Sequence, residues 1–142
     1  VAETTEPDSW VIHPHRVIYG DTDAMGIVYY ANYLRFFEVG RTEYVRARGA
    51  LYRAIEADGL ILPVSEAWAK YLAPARYDDV VKIHTRIEEL GHATLRFEYR
   101  LVRDGDEVLL AKGYTVHACV NRATGRVTRM PPAVRSWVTP PA

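Results

Sequence analysis

The feature that most constrains this chain is one change of hydrophobic period. From Tyr30 to Arg48, the residues Tyr30, Tyr33, Leu34, Phe37, Tyr44 and Val45 fall on one arc if each residue turns about 100°. Beyond Gly59 the period drops to two. Val81, Ile83, Thr85 and Ile87 alternate with Lys82, His84, Arg86 and Glu88, and Leu95, Phe97, Tyr99 and Leu101 alternate with Arg96, Glu98 and Arg100. Such strands have one apolar and one wet face. One long helix beside several half-buried strands predicts an α+β fold, a long central helix wrapped by a five- to six-stranded antiparallel sheet.

The flanking segments fit that layout. Trp10 to Tyr19 carries Val11, His13, His15, Val17 and Tyr19 on alternate positions and reads as a first strand. Gly49 is placed to stop the long helix, and a second helix is expected over Leu51 to Asp58, ending at Gly59. Leu60 to Leu72 is an apolar stretch interrupted by Pro63. Asp104-Gly105 supplies a hairpin turn into a long strand from Val108 to Val120, and Asn121 to Gly125 turns the chain again. Pro131-Pro132 precedes a short terminal helix. With 142 residues and no repeat or linker, one domain is expected over 10–138, between flexible tails at 1–9 and 139–142. A single helix leaves the sheet two open edges, so pairing between copies along an edge is expected.

Composition narrows the function classes. Eighteen basic residues balance eighteen acidic ones, which gives no general attraction for nucleic acid or an anionic membrane. The single cysteine forms no internal disulfide and is too few for a thiolate-built structural zinc site. The acidic start of the chain is unlike a secretion signal, and no run approaches the roughly 20 apolar residues of a spanning helix. A cytoplasmic protein without membrane insertion, metal or cofactor is expected. Phosphate-loop and dinucleotide glycine motifs are absent, and Ser65 lacks a nucleophile-elbow setting.

The most informative segment is the glycine-bounded loop Gly20-Asp21-Thr22-Asp23-Ala24-Met25-Gly26 just ahead of the helix. Free backbone N–H groups and the positive end of the helix dipole face such a loop. A carboxylate beside those donors suits acyl transfer, because the donors stabilise a carbonyl oxygen as it becomes negative while the carboxylate activates water or attacks. The competing reading is that Asp21, Asp23 or Asn32 only caps the helix.

Tyr19-Gly20-Asp21-Thr22-Asp23-Ala24-Met25-Gly26-Ile27-Val28-Tyr29-Tyr30-Ala31-Asn32-Tyr33-Leu34 resembles the signature of hot-dog-fold acyl-CoA thioesterases, in particular the 4-hydroxybenzoyl-CoA thioesterase-like and Tol–Pal-associated groups. The likeness continues through Phe36-Phe37-Glu38, Arg41-Thr42-Glu43, Leu62-Pro63-Val64-Ser65 and Tyr77-Asp78-Asp79. It implies a hot-dog fold, an acyl-CoA or acyl-carrier-protein substrate, and a homodimer or homotetramer with sites between subunits. It also implies Asp23 as the catalytic carboxylate (general base or nucleophile), the Tyr30 backbone N–H as the group polarising the carbonyl, and Tyr19 as an active-site tyrosine. Two departures stand out. Tyr30 occupies a position where the Tol–Pal-associated group commonly has histidine, and Leu90-Gly91-His92-Ala93 replaces a basic cluster that the hydroxybenzoyl enzyme uses for the coenzyme's phosphates.

Other candidates read best as structural. Glu38 lies at the margin of the helical arc, within reach of Arg41, and Glu43 points away from it. Arg41 projects into the arc, so a carboxylate partner is expected for it. His13 with His15, and His117 with Cys119, share strand faces and are expected to be satisfied strand residues rather than metal ligands. The alternatives to a thioesterase are a hot-dog hydratase or dehydratase, weakened because no histidine follows Asp23 within six residues, and a non-catalytic acyl-CoA binder or scaffold.

Overall fold

The structure, a computed structural model, describes residues 10–50 and 52–138; the expected tails at 1–9 and 139–142 lie outside the described residues. Strand β1 (Val11–Arg16) leads through a short 3-10 turn (Tyr19–Asp21) to helix α1 (Asn32–Ala47) and helix α2 (Tyr52–Ala57). Strands β2 (Leu60–Ile61), β3 (Val64–Tyr71), β4 (Val80–Leu90), β5 (Thr94–Arg103), β6 (Leu109–Ala118) and β7 (Val120–Asn121) follow, and a 3-10 turn (Pro132–Val134) runs into helix α3 (Arg135–Val138). The main sheet has five strands in the order β1-β4-β5-β6-β3, with every neighbouring pair antiparallel. Helix α1 lies on one face of it, the arrangement expected of a hot-dog fold.

Period two places the core where expected. Val81, Ile83, Ile87, Phe97, Tyr99, Leu101 and Leu110 are fully buried on the helix side, and Phe37 of α1 stacks on Tyr99 with ring centroids 4.2 Å apart. Two glycines let helix and sheet close. A Cβ on Gly40 would stand 2.7 Å from Ile83 Cγ2 and closer still to the Thr85 hydroxyl; one on Gly113 would stand 2.6 Å from Phe37 Cζ. Packing this dense tolerates no added methyl without displacement.

Two expectations are corrected, on the helix and on the last long strand, and the interruption expected at Pro63 is found. Helix α1 starts at Asn32, so Tyr30 lies outside it, and its buried stripe is Tyr33, Phe36, Phe37, Gly40, Tyr44 and Val45. Leu34 is 44% exposed, and Phe36 takes its place in the core by packing on His15 of β1, centroids 4.6 Å apart. The helix leans toward β1 and β4, which rotates its buried face away from Leu34. The stretch Leu60 to Leu72 is two strands in two sheets, because Pro63 lacks the N–H that would continue a ladder. The long strand expected to Val120 likewise breaks at Cys119: β6 stays in the main sheet, while β7 pairs with β2 in a separate two-stranded sheet.

At the far end of α1, the Tyr44 hydroxyl donates to the Trp137 carbonyl at 2.7 Å, tying the expected terminal helix to the core. Strand β3 is an open edge. Val64, Trp68 and Tyr71 on it are each more than two-fifths exposed.

Candidate active site

The loop between β1 and α1 is built by its two aspartates, which do different work. Asp21 is buried: its Oδ2 accepts the Ile18 N–H at 3.0 Å and lies 2.9 Å from His15 Nε2. Its carbonyl oxygen accepts the Tyr29 N–H and the Asn32 side-chain amide, both at 2.9 Å. Asp21 is therefore the clamp that joins β1, the loop and the start of α1.

Asp23 opens a tight hairpin. Its N–H donates to Ile27 O at 2.9 Å, and its carbonyl accepts the Gly26 N–H at 3.0 Å. Gly26 has φ +80°, a left-handed conformation that glycine adopts without cost and that closes a three-residue hairpin loop. The Asp23 Oδ1 accepts the Met25 N–H at 2.8 Å. Its Oδ2 has no hydrogen-bond partner among the described residues. The hairpin is pinned from outside by the Val28 N–H to Ala75 O bond, 2.8 Å, and by an Ile27–Arg76 bridge.

The helix entrance follows directly. The N–H groups of Asn32, Tyr33 and Leu34 are spent on Tyr29, Tyr30 and Ala31 carbonyls. Those of Tyr30 and Ala31 have no partner among the described residues, and Tyr30 is 59% exposed. Two unspent amides thus sit at the positive end of α1.

Beside them lies a cavity of about 340 Å³ lined by Ile27, Val28, Tyr30, Tyr33, Tyr71, Leu72, Ala73 and Pro74. The Tyr71 hydroxyl donates to the Tyr30 carbonyl at 3.2 Å and so fixes the peptide that follows the free Tyr30 amide. Burial pushes the Tyr33 and Tyr71 hydroxyls above the ordinary phenol value. Tyr29 is raised first by hydrogen bonding with Tyr30, with the Asp23 charge adding to it, which places the carboxylate in the field of these rings.

Tyr30 lines the cavity, while Asp23 stands in the hairpin ahead of it with its charge felt at Tyr29. Tyr19 takes a different contact: its ring, 72% exposed, stacks on Tyr77 at 4.0 Å. Phe36 and Phe37 are core, while Tyr30 lines the cavity. Glu43 pairs with Arg46 at 3.3 Å on the surface of α1. Arg41 is largely buried and pairs with the carboxylate expected for it. That partner, Glu38, is 3.9 Å away and exposed, and the Arg41 charge also opposes the rise that burial gives the Tyr52 and Tyr99 hydroxyls. His117 is satisfied by Thr115 and the Leu62 carbonyl, and Cys119 is a buried thiol whose pKa burial raises. Among the described residues no group of three or more His, Cys, Asp or Glu side chains is arranged to hold a metal, and no helix is long and apolar enough to cross a membrane.

Sequence reasoning missed Ala31 and Tyr71. The first contributes only a backbone amide, which no residue type announces. The second comes from the end of an edge strand, and no spacing in the chain links it to the loop.

Comparison with known proteins bears on this geometry. A family model described as the thioesterase-like superfamily matches residues 17–138. The acyl-CoA thioesterase YbgC of Haemophilus influenzae is 35% identical over 130 residues, 91% of this chain and 94% of that protein. A 1,4-dihydroxy-2-naphthoyl-CoA hydrolase of Synechococcus elongatus is 31% identical, covering 87% of this chain and 91% of its own. The solved structure of a DHNA-CoA thioesterase from Staphylococcus aureus superposes with a TM-score of 0.85 at 26% identity, over 90% of this chain and 88% of that one.

Proposed function

The chain belongs to the thioesterase-like superfamily, and from that premise we propose that it hydrolyses an acyl-CoA thioester to the free acid and CoA. What supports this reading is an Asp23 carboxylate oxygen left unbonded in the hairpin ahead of α1, with its charge felt at Tyr29, and the free amides of Tyr30 and Ala31 beside an apolar cavity.

The acyl or aryl group enters the cavity between Tyr30, Tyr33 and Tyr71, and its carbonyl oxygen points at the two amides. Asp23 takes a proton from water as the water oxygen attacks the thioester carbon, or attacks that carbon itself to give an anhydride that water then opens. The developing oxyanion is held by the amides, which need no reorganisation because Asp21 and Tyr71 already fix the peptides around them. The C–S bond breaks and CoA leaves as the thiolate, which takes its proton from Asp23 in the water route and from solvent in the anhydride route. The buried Asp21 does not take part; its Oδ2 is occupied by the Ile18 amide and His15. Tyr19 shapes the surface beside the loop through Tyr77 rather than contributing a group to the carbonyl.

The edge strand β3 pairs with its equivalent in a second copy, which covers Val64, Trp68 and Tyr71 and closes the cavity from the other side. Sedimentation analysis is expected to give at least twice the mass of one chain.

The test is thiol release from a panel of acyl-CoAs running from short aliphatic through long-chain to aryl esters, with acyl carrier protein thioesters as a second series. Release that depends on Asp23 establishes the hydrolase and ranks its substrates. Tight binding of a nonhydrolysable analogue without turnover of any thioester would instead assign a binding protein.

A further inference from the structure

The imidazole of His15 stands at the root of the loop that carries Asp23, and the reaction as derived leaves it without a task. It lies on β1 with its side chain 26% exposed, and its ring meets Phe36 of α1 at a centroid distance of 4.6 Å. Its Nε2 is 2.9 Å from Oδ2 of the buried Asp21. An ionised carboxylate only accepts, so Nε2 carries the hydrogen and donates it. The Ile18 N–H, at 3.0 Å, is the other donor to that oxygen. A buried carboxylate needs such donors, because each one lost leaves charge without compensation. Among the described residues, His15 is the one side chain that bonds the Asp21 carboxylate.

From Asp21 the hydrogen bonds run on to the free amides. The Asp21 carbonyl accepts the Tyr29 N–H and the Asn32 side-chain amide, both at 2.9 Å. The Asn32 N–H in turn donates to the Tyr29 carbonyl at 2.9 Å. That carbonyl and the Tyr30 N–H belong to one planar trans peptide and point opposite ways, so a bond that fixes the first aims the second. The next peptide carries the Ala31 N–H and is held separately, by the Tyr71 hydroxyl on the Tyr30 carbonyl. Each free amide thus has its own support: the Tyr30 amide is held through Asp21, and the Ala31 amide through Tyr71.

We infer that His15 is a positioning residue of the hydrolytic site, which by holding the Asp21 carboxylate aims the Tyr30 amide at the thioester carbonyl oxygen. Its effect on turnover rests on the thioesterase reading; its effect on the backbone rests on the hydrogen-bond chain alone. Without the imidazole donor the buried carboxylate keeps a single amide, and the side chain turns toward water. That turn moves the Asp21 backbone and, through the bonds its carbonyl makes, the Tyr29–Tyr30 peptide. Removing an oxyanion donor outright costs about 10²–10³ in kcat, so a donor that is displaced but still present loses part of that. No spacing in the sequence assigns His15 this task, because a histidine on an alternating strand reads equally well as packing.

The test compares His15→Leu, His15→Asn and His15→Gln with the parent protein. Leucine keeps apolar bulk against Phe36 and lacks the donor, asparagine reaches only as far as the ring's Nδ1, and glutamine restores an N–H near the place of Nε2. Thiol release is followed well below each melting temperature. His15→Leu and His15→Asn are expected to lower kcat about tenfold with KM within about twofold, and His15→Gln to stay within about threefold of the parent. Should His15→Leu fail to fold, the asparagine and glutamine variants carry the same comparison. Parent kcat without the donor, whatever the melting temperature, overturns the inference and leaves His15 a structural residue. Equal loss in His15→Gln also overturns it, since packing of the ring would then be responsible. Amide hydrogen exchange reads the same relationship without substrate. The Tyr29 N–H is expected to exchange at least about tenfold faster in His15→Leu and His15→Asn, while the Val28 N–H, bonded to Ala75 O at 2.8 Å, keeps the parent rate. Acceleration of both amides alike, or of neither, overturns the inference. A parent protein that hydrolyses no thioester refutes the thioesterase reading, and the exchange rates alone then decide whether His15 positions the Tyr30 peptide.

Discussion

His117 Nδ1 lies 2.8 Å from the carbonyl oxygen of Leu62, joining β6 to the turn where Pro63 breaks the chain between β2 and β3. On its other side Nε2 meets the Thr115 hydroxyl at 2.8 Å, which is itself 2.6 Å from the Tyr99 hydroxyl. The neutral ring fits this chain in one way, with Nδ1–H donating to Leu62 O and Nε2 accepting from Thr115. A proton on Nε2 would face that hydroxyl and add a charge in an apolar layer. Burial accordingly depresses the His117 pKa to about 4.

Stability is therefore expected to depend on pH in a defined window. The unfolded chain binds a proton at His117 near pH 6.5, the folded chain only near 4. The stabilisation is fully present above about pH 6.5 and is lost as the pH falls from there toward 4, by up to about 3 kcal/mol. Urea denaturation at several pH values measures it. His117→Gln should flatten that pH dependence; an unchanged slope would remove His117 as its source.

The two aspartates of the loop should separate cleanly. Asp23→Asn is expected to lower kcat at least about a hundredfold while leaving the melting temperature near that of the parent protein. Asp21→Ala strands the Ile18 amide and removes the partner of His15, so it should cost about 1–3 kcal/mol of stability. Turnover and thermal unfolding of both variants decide the matter. Near-normal turnover in Asp23→Asn would remove that carboxylate from the mechanism.

Tyr30 contributes through its backbone in the proposed reaction. Tyr30→Phe should therefore keep kcat within a few-fold of the parent. Loss of a side-chain oxyanion donor would cost about 10²–10³, and steady-state kinetics on one good substrate distinguishes the two.

Gly113 faces Phe37 on one side and the Trp68 carbonyl of β3 on the other. Gly113→Ala should destabilise by about 1–3 kcal/mol, because a rigid backbone and a stacked ring oppose the new methyl. It should also loosen β3, the strand proposed to pair with a second copy. Denaturation midpoint and sedimentation mass read the two effects separately.

Much of this protein was decided within short stretches of chain. The change from helical to alternating period requires one long helix and several half-buried strands, because each pattern can bury only one face. The loop from Gly20 to Gly26 sets its own turn: Gly26 takes the left-handed conformation and Asp23 binds the Met25 amide two residues on, interactions that need no distant partner. These local requirements made the fold and the turn of this loop legible. What lies between segments was not. Leu34 and Phe36 are both apolar and near in the helical period, and only the lean of α1 toward β1 decided that Phe36 is buried and Leu34 exposed. Tyr71 meets Tyr30 across 41 positions, and His92, Arg129 and Arg135 share a cavity only because the C-terminal segment folds back on the β4–β5 turn. Residue type and spacing encode local geometry, but such meetings depend on where whole elements come to rest, and that is set by packing of the entire core.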